Sequence, residues 1–151
     1  MCLERQTGFS IVAAIFLLVV LALLGVRAYQ AARAGAEWGA YQVLDPNNAL
    51  NPATCSPIVM PDCPVVNPTD LTGLAQSLSP FTVTVQCTRL PAWDTTEGNR
   101  NVRVFEIVAT ACNQPPCPQG APTSGYVERR ITATLSKCKD STALQPRCAC
   151  G

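Results

Sequence analysis

The residues of this chain best suited to do chemistry are its nine cysteines. Cys2 precedes a long apolar run, and the others follow it, at Cys55, Cys63, Cys87, Cys112, Cys117, Cys138, Cys148 and Cys150. An even number of cysteines in a small domain behind an apolar segment is typical of a disulfide framework in an oxidising compartment. Sequence does not determine the connectivity, so we predict only two local pairs, Cys55–Cys63 and Cys112–Cys117.

Zinc binding is the main alternative use of these cysteines. The chain has no C-x-x-C pair and no histidine, and structural zinc sites are commonly built from such pairs. Cys148 and Cys150 could also form a redox pair. A structural staple or a disordered tail is the favoured interpretation, because small oxidised domains use most of their cysteines structurally.

No catalytic set is recognisable. Without histidine, a Ser-His or Cys-His pair is impossible. Glu97, Glu106 and Glu128 are scattered along the chain, and no glycine-rich phosphate loop occurs. The net charge of +1 gives no sign of a nucleic-acid surface. We therefore expect no enzymatic activity, no cofactor, no metal and no nucleic-acid partner.

The elements that position the cysteines begin with one long predicted helix over residues 9–44. Residues 9–26 carry no charge and span about 27 Å as a helix, enough to cross a bilayer. Residues 27–44 are rich in alanine, and their spacing predicts an apolar stripe that packs on a domain. This stripe comprises Val26, Tyr29, Ala32, Ala36, Ala40 and Val43. We also expect Trp38 and Tyr41 to pack under a sheet.

The remainder of the chain predicts a small antiparallel β domain. Proline and asparagine in residues 45–69 indicate turns, and residues 69–78 predict one or two helical turns. Strands are expected over residues 81–88, 102–111 and 126–136, the second of them central. Their predicted inward residues are Phe81, Val83, Val85 and Cys87 on the first strand, and Val127, Ile131, Ala133 and Leu135 on the third. A hairpin tip is expected within residues 94–101, where Trp93 is interpreted as a loop anchor in preference to an exposed contact residue.

The segment before the apolar run can be a leader of two kinds. A secretory signal peptide would be cut at the small-x-small site formed by Val26, Arg27 and Ala28. Against this, Glu4 and Arg5 cancel in charge, and the helical pattern continues through the supposed cut. A lipoprotein signal does not fit, because Cys2 precedes the apolar run.

Residues 8–12 (Gly-Phe-Ser-Ile-Val) resemble the cleavage motif of the type IV pilin family. The resemblance implies that prepilin peptidase cuts after Gly8 and that Phe9 becomes the methylated N-terminus of an assembly helix containing Ser10 and Ala13. Major pilins carry glutamate at the fifth position after the cut, where this chain has Ala13. That departure favours a minor, low-copy subunit over a bulk filament subunit.

Residues 8–22, 29–41 and 126–131 resemble, more narrowly, the MshP family of biogenesis proteins of the mannose-sensitive haemagglutinin (MSHA) pilus. The resemblance implies an α+β, type IV pilin-like fold with a leader (1–8), a helix (9–44) that is transmembrane over 9–26 and amphipathic over 27–44, and a disulfide-stapled periplasmic β domain (45–151). It implies an inner-membrane minor pilin or pseudopilin whose partners are other pilin subunits. A secreted disulfide-rich binding domain cut near Ala28, and a plain single-pass membrane protein that keeps residues 1–8, remain alternatives.

Overall fold

The structure is a computed structural model that describes residues 11–44, 63, 66–143, 148 and 150. One helix, α1 (Ile11–Leu44), precedes five strands: β1 (Thr69–Leu71), β2 (Thr82–Arg89), β3 (Thr95–Glu97), β4 (Arg100–Cys112) and β5 (Glu128–Asp140). Single 3₁₀ turns occupy Gln76–Leu78 and Pro91–Trp93. The expected α+β class, with one long N-terminal helix and a small antiparallel sheet, is confirmed.

The helix is continuous for 34 residues. Leucine and alanine, which are good helix formers, dominate it, and no proline occurs before Pro46. The described helix α1 ends at Leu44, two residues before Pro46. The helix passes through Val26, Arg27 and Ala28 without interruption.

The sheet is antiparallel in the order β1-β2-β4-β5, and β3 also pairs with β4 beyond the end of β2. The predicted central position of β4 is therefore correct. The hairpin predicted within residues 94–101 is also present, because β3 turns directly into β4 through Gly98, whose φ is +56°. Glycine adopts this left-handed conformation at little cost, which suits it to the turn.

One face of the sheet packs against α1, and this inner face forms the core. Alternate residues of β2 and β4 are buried there, as the period of two requires; they include Val83, Val85, Phe105, Ile107 and Ala109. Phe81 and Cys87 are buried as predicted, and Val127, Ile131 and Leu135 pack against the same cluster while remaining partly exposed.

The short elements differ from the prediction. Thr69–Leu71 is a strand paired with β2 instead of a helical turn, and only Gln76–Leu78 is helical in that segment. A three-residue strand is too short to show a period of two in its sequence. Its pairing with a neighbouring strand is what makes the segment extended. Here the Thr84 hydroxyl donates to Asp70 Oδ1 at 2.6 Å across the β1–β2 pair.

Candidate assembly helix and the sheet that holds it

The two halves of α1 have different surroundings. Large apolar side chains of the first half are exposed, among them Ile11 at 78 %, Phe16 at 66 % and Leu18 at 67 %. By length and composition, α1 is suited to cross a membrane. Ala13 lies exposed on this half. The second half rests on the sheet and buries Ala28, Ala31, Ala32, Gly35, Ala36, Gly39 and Val43.

The helix approaches the sheet closely because its contact face consists of small residues. A Cβ built on Gly35 would lie 2.5 Å from Val83 Cγ1, and one on Gly39 would lie 2.7 Å from Ile107 Cγ2. Both distances are shorter than real carbon contacts, so neither position has room for a side chain. The spacing of four residues places the two glycines on one helix face.

The predicted stripe on α1 was partly wrong. Ala32, Ala36 and Val43 are buried, but Val26 and Tyr29 are 54 % and 52 % exposed. The contact face is rotated toward Ala28, Ala31, Gly35 and Gly39, because small residues permit close packing while the hydropathy pattern favoured bulky ones. Trp38 packs against the core as predicted. Tyr41 is 58 % exposed and does not lie under the sheet.

A lysine from β5 caps the end of α1. Lys137 is buried, and its Nζ donates to the carbonyl oxygen of Val43 at 2.9 Å. The last carbonyls of a helix lack intrahelical partners, and the negative end of the helix dipole favours a cation there. The neighbouring inward residue, Lys139, is 1 % exposed, and its burial lowers its pKa. Sequence inspection missed Lys137; two lysines spaced by two on a strand were the available signal.

Three disulfides staple the described part of the domain. They join Cys63 to Cys87, Cys112 to Cys117, and Cys138 to Cys150. Cys148 is also disulfide-bonded. The predicted pair Cys112–Cys117 is confirmed. The predicted pair Cys55–Cys63 was wrong, because Cys63 reaches across the fold to β2; Cys55 itself lies outside the described residues.

These disulfides also bear on the alternative uses of the cysteines. A cysteine in a disulfide offers no thiolate, so the bonded positions cannot act as thiolate ligands to zinc. Within the residues that the structure describes, no group of three or more potential ligands that could hold a metal ion occurs. Cys148 and Cys150 are not joined to each other, since Cys150 is bonded to Cys138.

The outer face of the sheet is partly covered by the β4–β5 connection. Cys117 and Pro118 from this connection line a small pocket with Thr84, Val108 and Arg130. The Tyr126 hydroxyl donates to the Glu128 carboxylate and accepts from the Gln119 backbone N–H. Burial and the neighbouring Glu128 raise the pKa of Tyr126. These contacts fasten the connection to the start of β5.

Trp93 lies at the opposite end of the sheet and is 70 % exposed. It forms one wall of an open groove of about 410 Å³ with Leu90, Val104 and Thr134. The interpretation of Trp93 as a loop anchor was therefore wrong. The adjoining turn is held instead by Asp94, which accepts from Arg89 Nη2 at 2.6 Å and from the Val104 N–H at 3.0 Å.

Of the residues expected to take part in processing and assembly, Gly8, Phe9 and Ser10 lie outside the described residues, and Ala13 lies in the first turn of α1. The arrangement offers an exposed apolar helix, a seat for its second half and a disulfide-stapled sheet. No protein-family model, no curated protein and no solved structure matches this chain.

Proposed function

We propose that this chain is a minor pilin-like or pseudopilin assembly protein of a type IV pilus of the MSHA kind, which helps to initiate or cap the filament. In this proposal prepilin peptidase cuts after Gly8, and Phe9 becomes the methylated N-terminus. The first half of α1 holds the subunit in the bacterial inner membrane and then among the helices of other pilin subunits. The disulfide-stapled domain lies in the periplasm.

The division of α1 into an exposed half and a seated half carries this proposal. A helix that is apolar all round needs lipid or other helices to cover it. The second half of α1 is already covered by the sheet. One continuous helix therefore joins the β domain to the lipid or helices that cover the first half. Ala13 supports a minor role, because a filament subunit that lacks a carboxylate at this position cannot form an ion pair there with a neighbour's N-terminal amine.

The secreted-domain alternative requires a cut after Ala28. Such a cut would remove Ala28 itself, which is fully buried against the sheet. It would also start the mature chain inside the helix, next to the buried pair Ala31 and Ala32, with no capping residue for the exposed N–H groups. These costs favour retention of the apolar half.

Mass spectrometry of the mature N-terminus, on protein extracted from membranes, tests the proposal. We expect methylated Phe9 as the first residue. The variant Gly8→Leu should leave the precursor uncut. The matched variant Val26→Phe blocks a signal-peptidase site, yet Val26 is exposed, so this change should leave both the fold and the Phe9 terminus unaltered. Tyr29 as the first residue, or normal processing of G8L, would contradict the proposal.

A further inference from the structure

A groove lies between α1 and the first residues of β5. It has a volume of about 300 Å³, and its walls are Leu21, Ala22, Gly25, Val26, Tyr29 and Arg129. All but one of these residues belong to the helix, and most are apolar. The groove is therefore apolar along its length, with one guanidinium at its rim.

Arg129 is on the face of β5 that meets the helix. Its register partner on β4 is Ala111, which is fully buried in the core beneath α1. The guanidinium lies against the helix at Gly25, where a Cβ would be 3.2 Å from Nη2. Because Gly25 has no side chain, the guanidinium of Arg129 has room to lie against the helix.

No carboxylate among the described residues pairs with Arg129. Its Nη1 donates only to the backbone carbonyl of Glu128, at 3.0 Å. The Glu128 carboxylate accepts from Tyr126 and lines the outer-face pocket together with Arg130. An exposed cation with unused donors therefore faces the apolar helix.

The groove coincides with the end of the uncharged run. Leu21 to Val26 are its last residues, and Arg27 follows. If the run spans a bilayer, as the proposed function requires, the groove opens at the membrane surface on the side of the β domain. Tyrosine and arginine are favoured at that depth, where one end of the side chain is apolar and the other is wet.

We propose that this groove binds an anionic membrane phospholipid, with the phosphate on Arg129 and an acyl chain along Leu21, Ala22 and Val26. The planar guanidinium suits two parallel hydrogen bonds to phosphate oxygens. The apolar wall suits an acyl chain and not a soluble anion. The bound lipid fixes the height of the β domain above the membrane. This inference rests on the proposed membrane-inserted state of the helix.

The test uses the full-length mature protein in nanodiscs made of equal parts phosphatidylglycerol and phosphatidylcholine. Native mass spectrometry counts the lipids retained by each released protein. Wild type should retain phosphatidylglycerol in excess. Arg129→Gln should lower that preference by about fivefold, the effect of one cation near a lipid surface. Gly25→Leu should lower it similarly, because the new side chain fills the groove and displaces the guanidinium.

Arg130→Gln is the matched control, since it removes the same charge one residue away on the opposite face. It should keep the wild-type preference. Equal retention by wild type and R129Q, or an equal loss in R130Q, would overturn the lipid site. Displacement of the lipid by inorganic phosphate would also overturn it, because a simple anion site would then suffice.

The two proposals fail in different ways. A chain that starts at Phe9 and resists carbonate extraction, yet has no preference for phosphatidylglycerol, overturns only the lipid site. A mature wild-type chain that starts at Tyr29 lacks most of the groove and overturns both.

Discussion

Two glycines set how closely the helix and the sheet can pack. At Gly35 an added Cβ meets Val83 Cγ1 at 2.5 Å and is flanked by Val85 and Ala109 at 3.2 and 3.3 Å. These neighbours are buried, so none can swing away. At Gly25 an added Cβ meets only the flexible tip of Arg129. The same substitution should therefore have different effects at the two positions.

We expect Gly35→Ala to be less stable than Gly25→Ala by about 1–3 kcal/mol, the usual cost of overpacking a core. Comparing the two variants cancels the gain in helix propensity that alanine brings to each. Thermal unfolding of the full chain in mild detergent measures the difference. Equal stability of the two variants would mean that the helix sits farther from the sheet than described.

Asp94 makes the turn before β3 sensitive to pH. Partial burial pushes the pKa of Asp94 up, but hydrogen bonds from Arg89 and the Val104 N–H, with the charges of Arg89 and Arg103, lower it overall below the usual pKa of an aspartate. A carboxyl whose pKa is lower in the folded state stabilises the fold fully above its unfolded pKa. That contribution is lost as the pH falls through the folded pKa.

We therefore expect Asp94→Asn to be less stable than wild type at pH 7, and the gap to close below about pH 4. Unfolding measured across this range checks the result. Glu97→Gln, which removes an exposed carboxylate from the same hairpin, is the control for lost charge and should change stability little at pH 7. A gap that stays constant into acid would rule out the Arg89–Asp94 contact as its source.

At the scale of elements, β5 supplies what the end of α1 lacks. The helix has no basic residue in its own last turn, and Lys137 donates to the Val43 carbonyl from the neighbouring strand. This single contact joins residues 94 positions apart in sequence. It therefore holds the C-terminal end of α1 against β5.

Lys137→Met keeps the apolar stem of the side chain and removes the donor. We expect a loss of about 1–3 kcal/mol in unfolding free energy, because a buried carbonyl loses its charged partner. Arg130→Met, an exposed position on the outer face of the same strand, should change stability by less than about 0.5 kcal/mol. Urea titration of both variants in detergent checks this. A neutral K137M would mean that water or another group satisfies Val43.

The long helix and the long strands could be predicted from sequence. The three-residue strands and the contact face of α1 could not. The alternation in β2 identified its inward face correctly, and the apolar character of β4 identified its central position in the sheet. The strands β1 and β3 have only three residues each, so pairing with a neighbour defines them. The predicted contact face of α1 was wrong at Val26 and Tyr29, because close packing against a sheet requires small side chains whatever their hydropathy. The Cys63–Cys87 pair is set by tertiary structure, which sequence spacing does not encode.

At the scale of the whole molecule, α1 belongs to two units at once. Its buried residues begin at Ala28 and end at Val43, so the core of the β domain includes the second half of the helix. The described residues before Ala28 contribute no buried side chain to that core. The boundary that matters for folding therefore lies near Arg27, and it falls within a continuous helix.

A chain that starts at Arg27 should consequently be soluble and should unfold in one cooperative transition, because it keeps every buried residue of α1. A chain that starts at Asp45 should not fold, since it lacks α1 and exposes Val83, Ile107 and Ala109 to water. Circular dichroism and urea unfolding, after oxidative refolding of both chains, compare them. Cooperative folding of the shorter chain would show that the sheet needs no helix, and α1 would then be only an anchor. If neither chain folds, the β domain needs contacts from the apolar first half of α1. That result would contradict our expectation, because this half is exposed.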